Sequence, residues 1–180
     1  LDLEYYIKIA RNGYRESTQT AFYPLWPLIL KLSNKFVSIS FYKIAIFISS
    51  LIGLIAFILS EYTFLKITGS KQVALLTSYF YILSPMTVFF FSGYTEAIFA
   101  VESFILVLLI YYFSKSSNRI QSTDLFNLVC IFLISVAIGL TRPVLPQVFF
   151  ALSGTILLMK SNYTHQIYIK RYICLYKYFF

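Results

Sequence analysis

IAIFISSLIGLIAFILSEYTFL, residues 44–65, is the stretch that decides the fold. A spanning helix needs about 20 mainly apolar residues, and here only Ser49, Ser50, Gly53 and the Ser60-Glu61 pair interrupt the run. Residues 72–91, 97–113 and 125–140 read the same way, and residues 144–159 give a fifth, shorter run. The last two fall about one turn short of spanning, which tilt, bilayer thinning or burial within protein accommodates. All of these runs are too long for barrel strands, and backbone in lipid must bond within its own helix or within a closed barrel. The expected fold is all-α, a polytopic transmembrane helix bundle.

Composition agrees. Hydrophobic residues make up 59% of the 180 residues and charged residues 12%, against about 25% charged in soluble domains. Aromatics reach 20%, with 19 Phe and 16 Tyr. These figures exclude a disordered chain, a disulfide scaffold and almost any soluble globule, and make the lipid bilayer the first partner. The net charge is +8, from 15 basic and 7 acidic residues. The basic residues are scattered among apolar runs as loop and interface anchors, so no nucleic acid is expected. Cys130 and Cys174 have no metal or redox spacing.

Three regions follow. Residues 1–43 are expected to form a non-cytoplasmic loop with short interfacial helices. Residues 2–11 mix apolar and charged positions and should stop near Gly13; residues 22–32 hold Pro24 and Pro27 around Trp26, which reads as an interfacial anchor. Residues 44–160 carry the five spans, and 161–180 a cytoplasmic tail or the start of a cut segment. The chain begins at Leu1 and its aromatic end, 172–180, offers no stop signal, so a fragment is expected. The connections at 66–71 and 114–124 and the stretch from 160 are basic, whereas 92–96 and 141–143 are tight turns. Alternation of five spans puts the basic connections on one side, cytoplasmic by the positive-inside rule. Asp2, Glu4, Tyr94, Glu96 and Arg142 then meet on the opposite face.

Each of these has two readings. Asp2 and Glu4 suit general-base work or cation holding, or simply a helix start where acids favour the dipole. Glu96 at the mouth of a span is a functional candidate, or an N-terminal acid behind a capping Thr95. Arg142 offers a fork that fits phosphate, or snorkels to the interface. Glu102, about 9 Å deeper along its helix than Glu96, should face protein in a structural role, paired with a hydroxyl or a base. His165 is the one histidine; it falls on the cytoplasmic side, which excludes a Ser-His-Asp triad and a His-ligated metal site. The sequon at Asn162 falls there too and would go unused. No Walker loop or dinucleotide fingerprint occurs.

Three segments then resemble one family. DLEYYIKIARNGY (2–14), AFYPLWPL (21–28) and LSPMTVFFFSGYTEAIF (83–99), with a weaker fourth, GLTRP (139–143), are similar in order and spacing to stretches of the PIG-V-like mannosyltransferases. These include the second mannosyltransferase of GPI-anchor biosynthesis and bacterial relatives. Leu1 stands where the family usually has Trp. The resemblance implies the N-terminal part of a GT-C glycosyltransferase, which takes a sugar from a polyprenyl-phosphate carrier on the non-cytoplasmic face and passes it to a glycolipid or glycan. It matches Asp2 to the family acid of the first external loop, the catalytic candidate, with Glu4, Tyr94, Glu96 and Arg142 as substrate-binding residues. No cofactor and no metal are required. Segments 22–28 and 141–143 look closer to the bacterial branch, which implies the plasma membrane; a eukaryotic source would imply the endoplasmic reticulum. Alone, the fragment is expected to be inactive. The alternatives are a membrane transporter, with charges along a midplane path and broken helices, or a structural membrane subunit.

Overall fold

The computed structural model describes residues 2–37, 39–115 and 122–144. The chain divides into two compact units, Leu1–Pro143 and Val144–Phe180. The expected fifth span beyond its first residue, the tail with Asn162, His165 and Cys174, and the 116–121 connection with Arg119 lie outside the described residues. Every regular element among the described residues is helical.

The first helix, α1 (Asp2–Asn12), starts with Asp2 and Glu4 and ends with Arg11 in its last turn, each sign placed where the helix dipole favours it. Gly13 stops it with φ +74°. The buried Leu3, Tyr6 and Ala10 pack against Trp26 and Leu30 of α2 (Leu25–Phe36). Pro24 and Pro27 fall at the start of α2, where missing N–H groups cost nothing. One expectation is corrected here. Trp26 is not an interfacial anchor: it is fully enclosed, and its indole Nε1 donates to the Gly93 carbonyl at 2.9 Å.

The long helix α3 (Phe41–Thr68) is the axis of the first unit. Its 28 residues span about 42 Å, more than a bilayer core of about 30 Å. Ser40 caps its start and Gly69, left-handed, ends it. Its buried positions are Ile44, Ala45, Ser49, Gly53, Ala56, Ser60 and Thr63, while Phe47 is 70% exposed and Leu51, Leu54 and Ile58 are also open. Small residues inside and large apolar residues outside is the pattern of helices that pack in lipid, where close backbone approach replaces the hydrophobic drive. The inner hydroxyls are satisfied within the helix: Ser60 donates to Phe57 O and Thr63 to Leu59 O.

Among the described residues two helices, α3 and Glu96–Phe113 within α5 (Glu96–Lys115), are long and apolar enough to cross a membrane. The apolar part of α6 (Ser122–Thr141) is shorter, Leu125–Thr141. The span expected over 72–91 is not one continuous helix. The helix α4 (Lys71–Ile82) stops before Pro85, and Pro85–Phe90 is a 3-10 turn. The cause is local. Proline removes a donor and disfavours helix for the residue before it. The Thr87 hydroxyl donates to the Tyr81 carbonyl at 3.0 Å, beside a longer bond from Ser84 N at 3.4 Å, and Phe90 seats its Cβ against Gly53 of α3. Tyr81, Phe90, Phe104 and Phe64 close this seam ring on ring. The backbone then climbs to Gly93, which packs on Ala45 near the start of α3, whereas Gly69 caps its end. The 92–95 turn and the Gly69 turn therefore lie at opposite ends of α3.

Candidate active site

Gly93 is the fixed point from which the site is built. Its φ is +81°, and a Cβ there would meet Leu3 and Ala45, so the turn needs glycine for both conformation and closeness. Its N–H donates to Ser49 Oγ at 3.0 Å and its carbonyl accepts from Trp26. Three helices, α1, α2 and α3, thus hold one residue, and Tyr94, Thr95 and Glu96 follow it directly. Thr95 is buried, and its carbonyl accepts from Phe99 N at 3.0 Å, opening α5. Tyr94 is half-buried with its ring edge-on to Phe89.

The end of α6 reaches the same place. Arg142 Nη2 pairs with Glu96 Oε1, and the guanidinium lies 5.2 Å above the Phe99 ring, in cation–π range. Arg142 and Glu96 are both partly open to solvent, at 33% and 22%. The second carboxylate oxygen, Glu96 Oε2, is buried with no hydrogen-bond partner among the described residues. One buried acceptor without a donor is costly and suits a ligand hydroxyl. A guanidinium has five N–H donors, so pairing with Glu96 does not use it up.

From α1 comes Tyr6. It is buried, with its phenol in hydrogen-bonding reach of the Thr95 hydroxyl, and Asp2, Glu96 and Arg142 all act on it electrostatically. Burial pushes the phenol above its ordinary range; Thr95 works against this, Glu96 and Asp2 add to it and Arg142 opposes it. Phe22 packs edge-on to Tyr6 and stacks on Tyr5, which joins the 21–28 segment to the cluster. Asp2 precedes Tyr6 by one helical turn, so the two share a face of α1. Glu4 is exposed and lies about 200° round the helix from Asp2.

Of the residues singled out from sequence, Glu96 and Arg142 pair directly, Asp2, Glu96 and Arg142 each act electrostatically on Tyr6, and Tyr94 precedes Thr95 in the chain. The sequence reading missed Tyr6, counted there as one more apolar position, although its i, i+4 relation to Asp2 marks it. Glu102 does face protein and does meet a hydroxyl: Thr141 Oγ1 lies 2.9 Å from both of its oxygens. No group of three or more His, Cys, Asp or Glu among the described residues is placed to hold a metal ion. Chemically, the cluster offers an exposed carboxylate, a neutral phenol, a carboxylate with a free buried oxygen and a fixed guanidinium.

Comparison with known proteins agrees in kind. The family model described as Mannosyltransferase (PIG-V) matches residues 1–175. GPI mannosyltransferase 2 of Yarrowia lipolytica is 31% identical over 103 residues, covering 57% of this chain and 28% of that protein. The chain thus spans little more than a quarter of the curated relative's length. No solved structure matches.

Proposed function

Because the chain belongs to the PIG-V mannosyltransferase family, an integral membrane family to which its apolar helices conform, we propose that it forms the N-terminal catalytic part of an enzyme that transfers mannose. The donor is a polyprenyl-phosphate sugar and the acceptor a hydroxyl of a glycolipid or glycan. The cluster faces the non-cytoplasmic side, of the plasma membrane in a bacterium or of the endoplasmic reticulum in a eukaryote.

One juxtaposition carries the reading: an acid from α1, an acid from the start of α5 and an arginine from the end of α6 gather around Tyr6, at the end of α3 opposite the lysines of 66–71. In the transfer, the acceptor oxygen bonds to the anomeric carbon while the bond to the lipid phosphate breaks and its electron pair leaves with the phosphate. The acceptor proton goes to Asp2, an exposed carboxylate and the proposed base. Arg142 meets the charge that grows on the departing phosphate. Glu96, through its unpartnered Oε2, and Tyr94 take sugar hydroxyls; Glu4, at the exposed rim of α1, contacts the acceptor. Tyr6 stays protonated and donates. The broken α4 does not favour a transporter, because residues 83–91 contain no charged side chain, and its break seats an aromatic wedge against Gly53 instead.

The test is transfer of labelled mannose from a polyprenyl-phosphate donor in membranes carrying the protein of the full reading frame. Asp2→Asn keeps the shape but cannot take the proton, and should lower transfer by roughly 10²- to 10⁴-fold at equal expression. Activity within about threefold of the parent would remove Asp2 as base, being less than positioned base catalysis contributes.

A further inference from the structure

Resting on that reading, we propose that Glu102 and Thr141 form a positioning pair for Arg142, a buried cross-link that sets the end of α6 so that the guanidinium can meet a lipid phosphate. Glu96, Phe99 and Glu102 stand at i, i+3 and i+6 on α5, a row about 9 Å long. Each meets one of two consecutive residues, Thr141 at the end of α6 and Arg142 just past it. Arg142 takes Glu96 and the Phe99 ring. Thr141 Oγ1 takes both oxygens of Glu102 at 2.9 Å.

Thr141 is the last residue of α6. Pro143 bars the helix from continuing and biases Arg142 out of it, although Arg142 N still bonds Ile138 O at 2.9 Å. A single peptide unit therefore separates the anchored hydroxyl from the arginine. Glu102 is 6% exposed and Thr141 1%. A carboxyl and a hydroxyl in that setting are costlier than an apolar pair of the same volume. An acid within a spanning helix calls for a purpose besides packing. The Thr141 hydroxyl also lies 2.9 Å from Ala137 O; with one hydrogen among three acceptors, the contact fixes place more than it adds stability. Neither residue reaches the open cluster, so both act through Arg142.

The experiment is steady-state transfer by the purified protein of the full reading frame in lipid nanodiscs, with the polyprenyl-phosphate mannose concentration varied. Thr141→Val keeps the shape and removes the hydroxyl. It should raise the donor KM roughly tenfold, because a displaced clamp loses its ligand, and leave the acceptor KM unchanged. Thr141→Ser, which keeps the hydroxyl, should bring the donor KM back to within about twofold of the parent. In an Arg142→Lys background Thr141→Val should add less than about twofold, since residues acting as a unit are not additive. An unchanged donor KM, failure of serine to rescue, or equal losses in both backgrounds overturns the pair. Should the valine variant not fold, Glu102→Gln and Glu102→Met make the same comparison: the first keeps an acceptor for Thr141 and the donor KM, the second loses both, and equal KM values overturn the pair. Arg142→Ala separates the two levels. If it leaves the donor KM unchanged, the phosphate-anchoring role of Arg142 fails and the pair with it. If it raises the donor KM while Thr141→Val is silent, the pair alone fails.

Discussion

Gly93→Ala should destabilise the protein and disorder the start of α5. The backbone contribution comes from φ +81°, where an L-residue costs about 1–2 kcal/mol. The packing contribution comes from a new Cβ placed 3.1 and 3.3 Å from the two Leu3 methyls and 3.3 Å from Ala45 Cβ. Leu3 can swing its branch, but Ala45 Cβ is fixed to α3. We therefore take the lower half of the overpacking range, about 1–2 kcal/mol, for a total of about 2–4 kcal/mol. The assay is reversible unfolding in mixed detergent micelles with increasing SDS, followed by circular dichroism. In an Ala45→Gly background, which removes the rigid neighbour, the cost should fall toward the backbone part, about 1–2 kcal/mol. The same substitution should lower mannose transfer more than it lowers stability, because Glu96 lies three residues from the strained turn. A loss below about 0.5 kcal/mol, the range of an ordinary surface change, or an identical loss in both backgrounds, would refute the pinned turn.

Cysteine placed at Ser70 and at Ser92 should be labelled from opposite sides of intact membranes, and labelling of both from one side would refute the opposed ends of α3. Tyr6→Phe should lower transfer by roughly 10-fold, the worth of a hydrogen bond to a charged group, without moving the pH–rate profile. The sign follows from burial, which raises the phenol above its ordinary 10, so it is neutral across the working range and its removal deletes a donor rather than a titration; a shifted acid or alkaline limb would count against it. Trp26→Phe should cost about 1–3 kcal/mol in the same SDS titration, since it leaves the buried Gly93 carbonyl without its donor, and a neutral result would remove the indole from that role.

The helices were legible where local chemistry fixes them. The 44–65 run lies within α3, the acids and Arg11 bracket α1, and Gly13 and Gly69 close their helices. What escaped were consequences of contacts between distant residues. Trp26 looks like an interfacial anchor because its indole has one apolar body and one donor; the carbonyl that takes that donor is 67 positions away in the chain. Residues 72–91 look like one span because hydropathy outweighs a single proline in any average. The break is supported by contacts no average sees: Gly53 leaves room for Phe90, and the Thr87 hydroxyl donates to the Tyr81 carbonyl.

The same distinction explains the candidate site. Alternation of spans can bring Asp2, Glu96 and Arg142 to one end of the bundle, and no local signal is needed for it. It cannot say which groups touch. The pairing of Arg142 with Glu96 and of Thr141 with Glu102 depends on the register between α5 and α6, which the hydropathy of the two runs does not encode. Two polar cross-links one residue apart fix that register, since sliding α6 by one residue would separate both pairs at once and leave Glu102 buried without its hydroxyl. Charged and hydroxyl residues inside the bundle therefore serve register as well as chemistry, and their positions at the ends of α5 and α6 are where one set of side chains can do both.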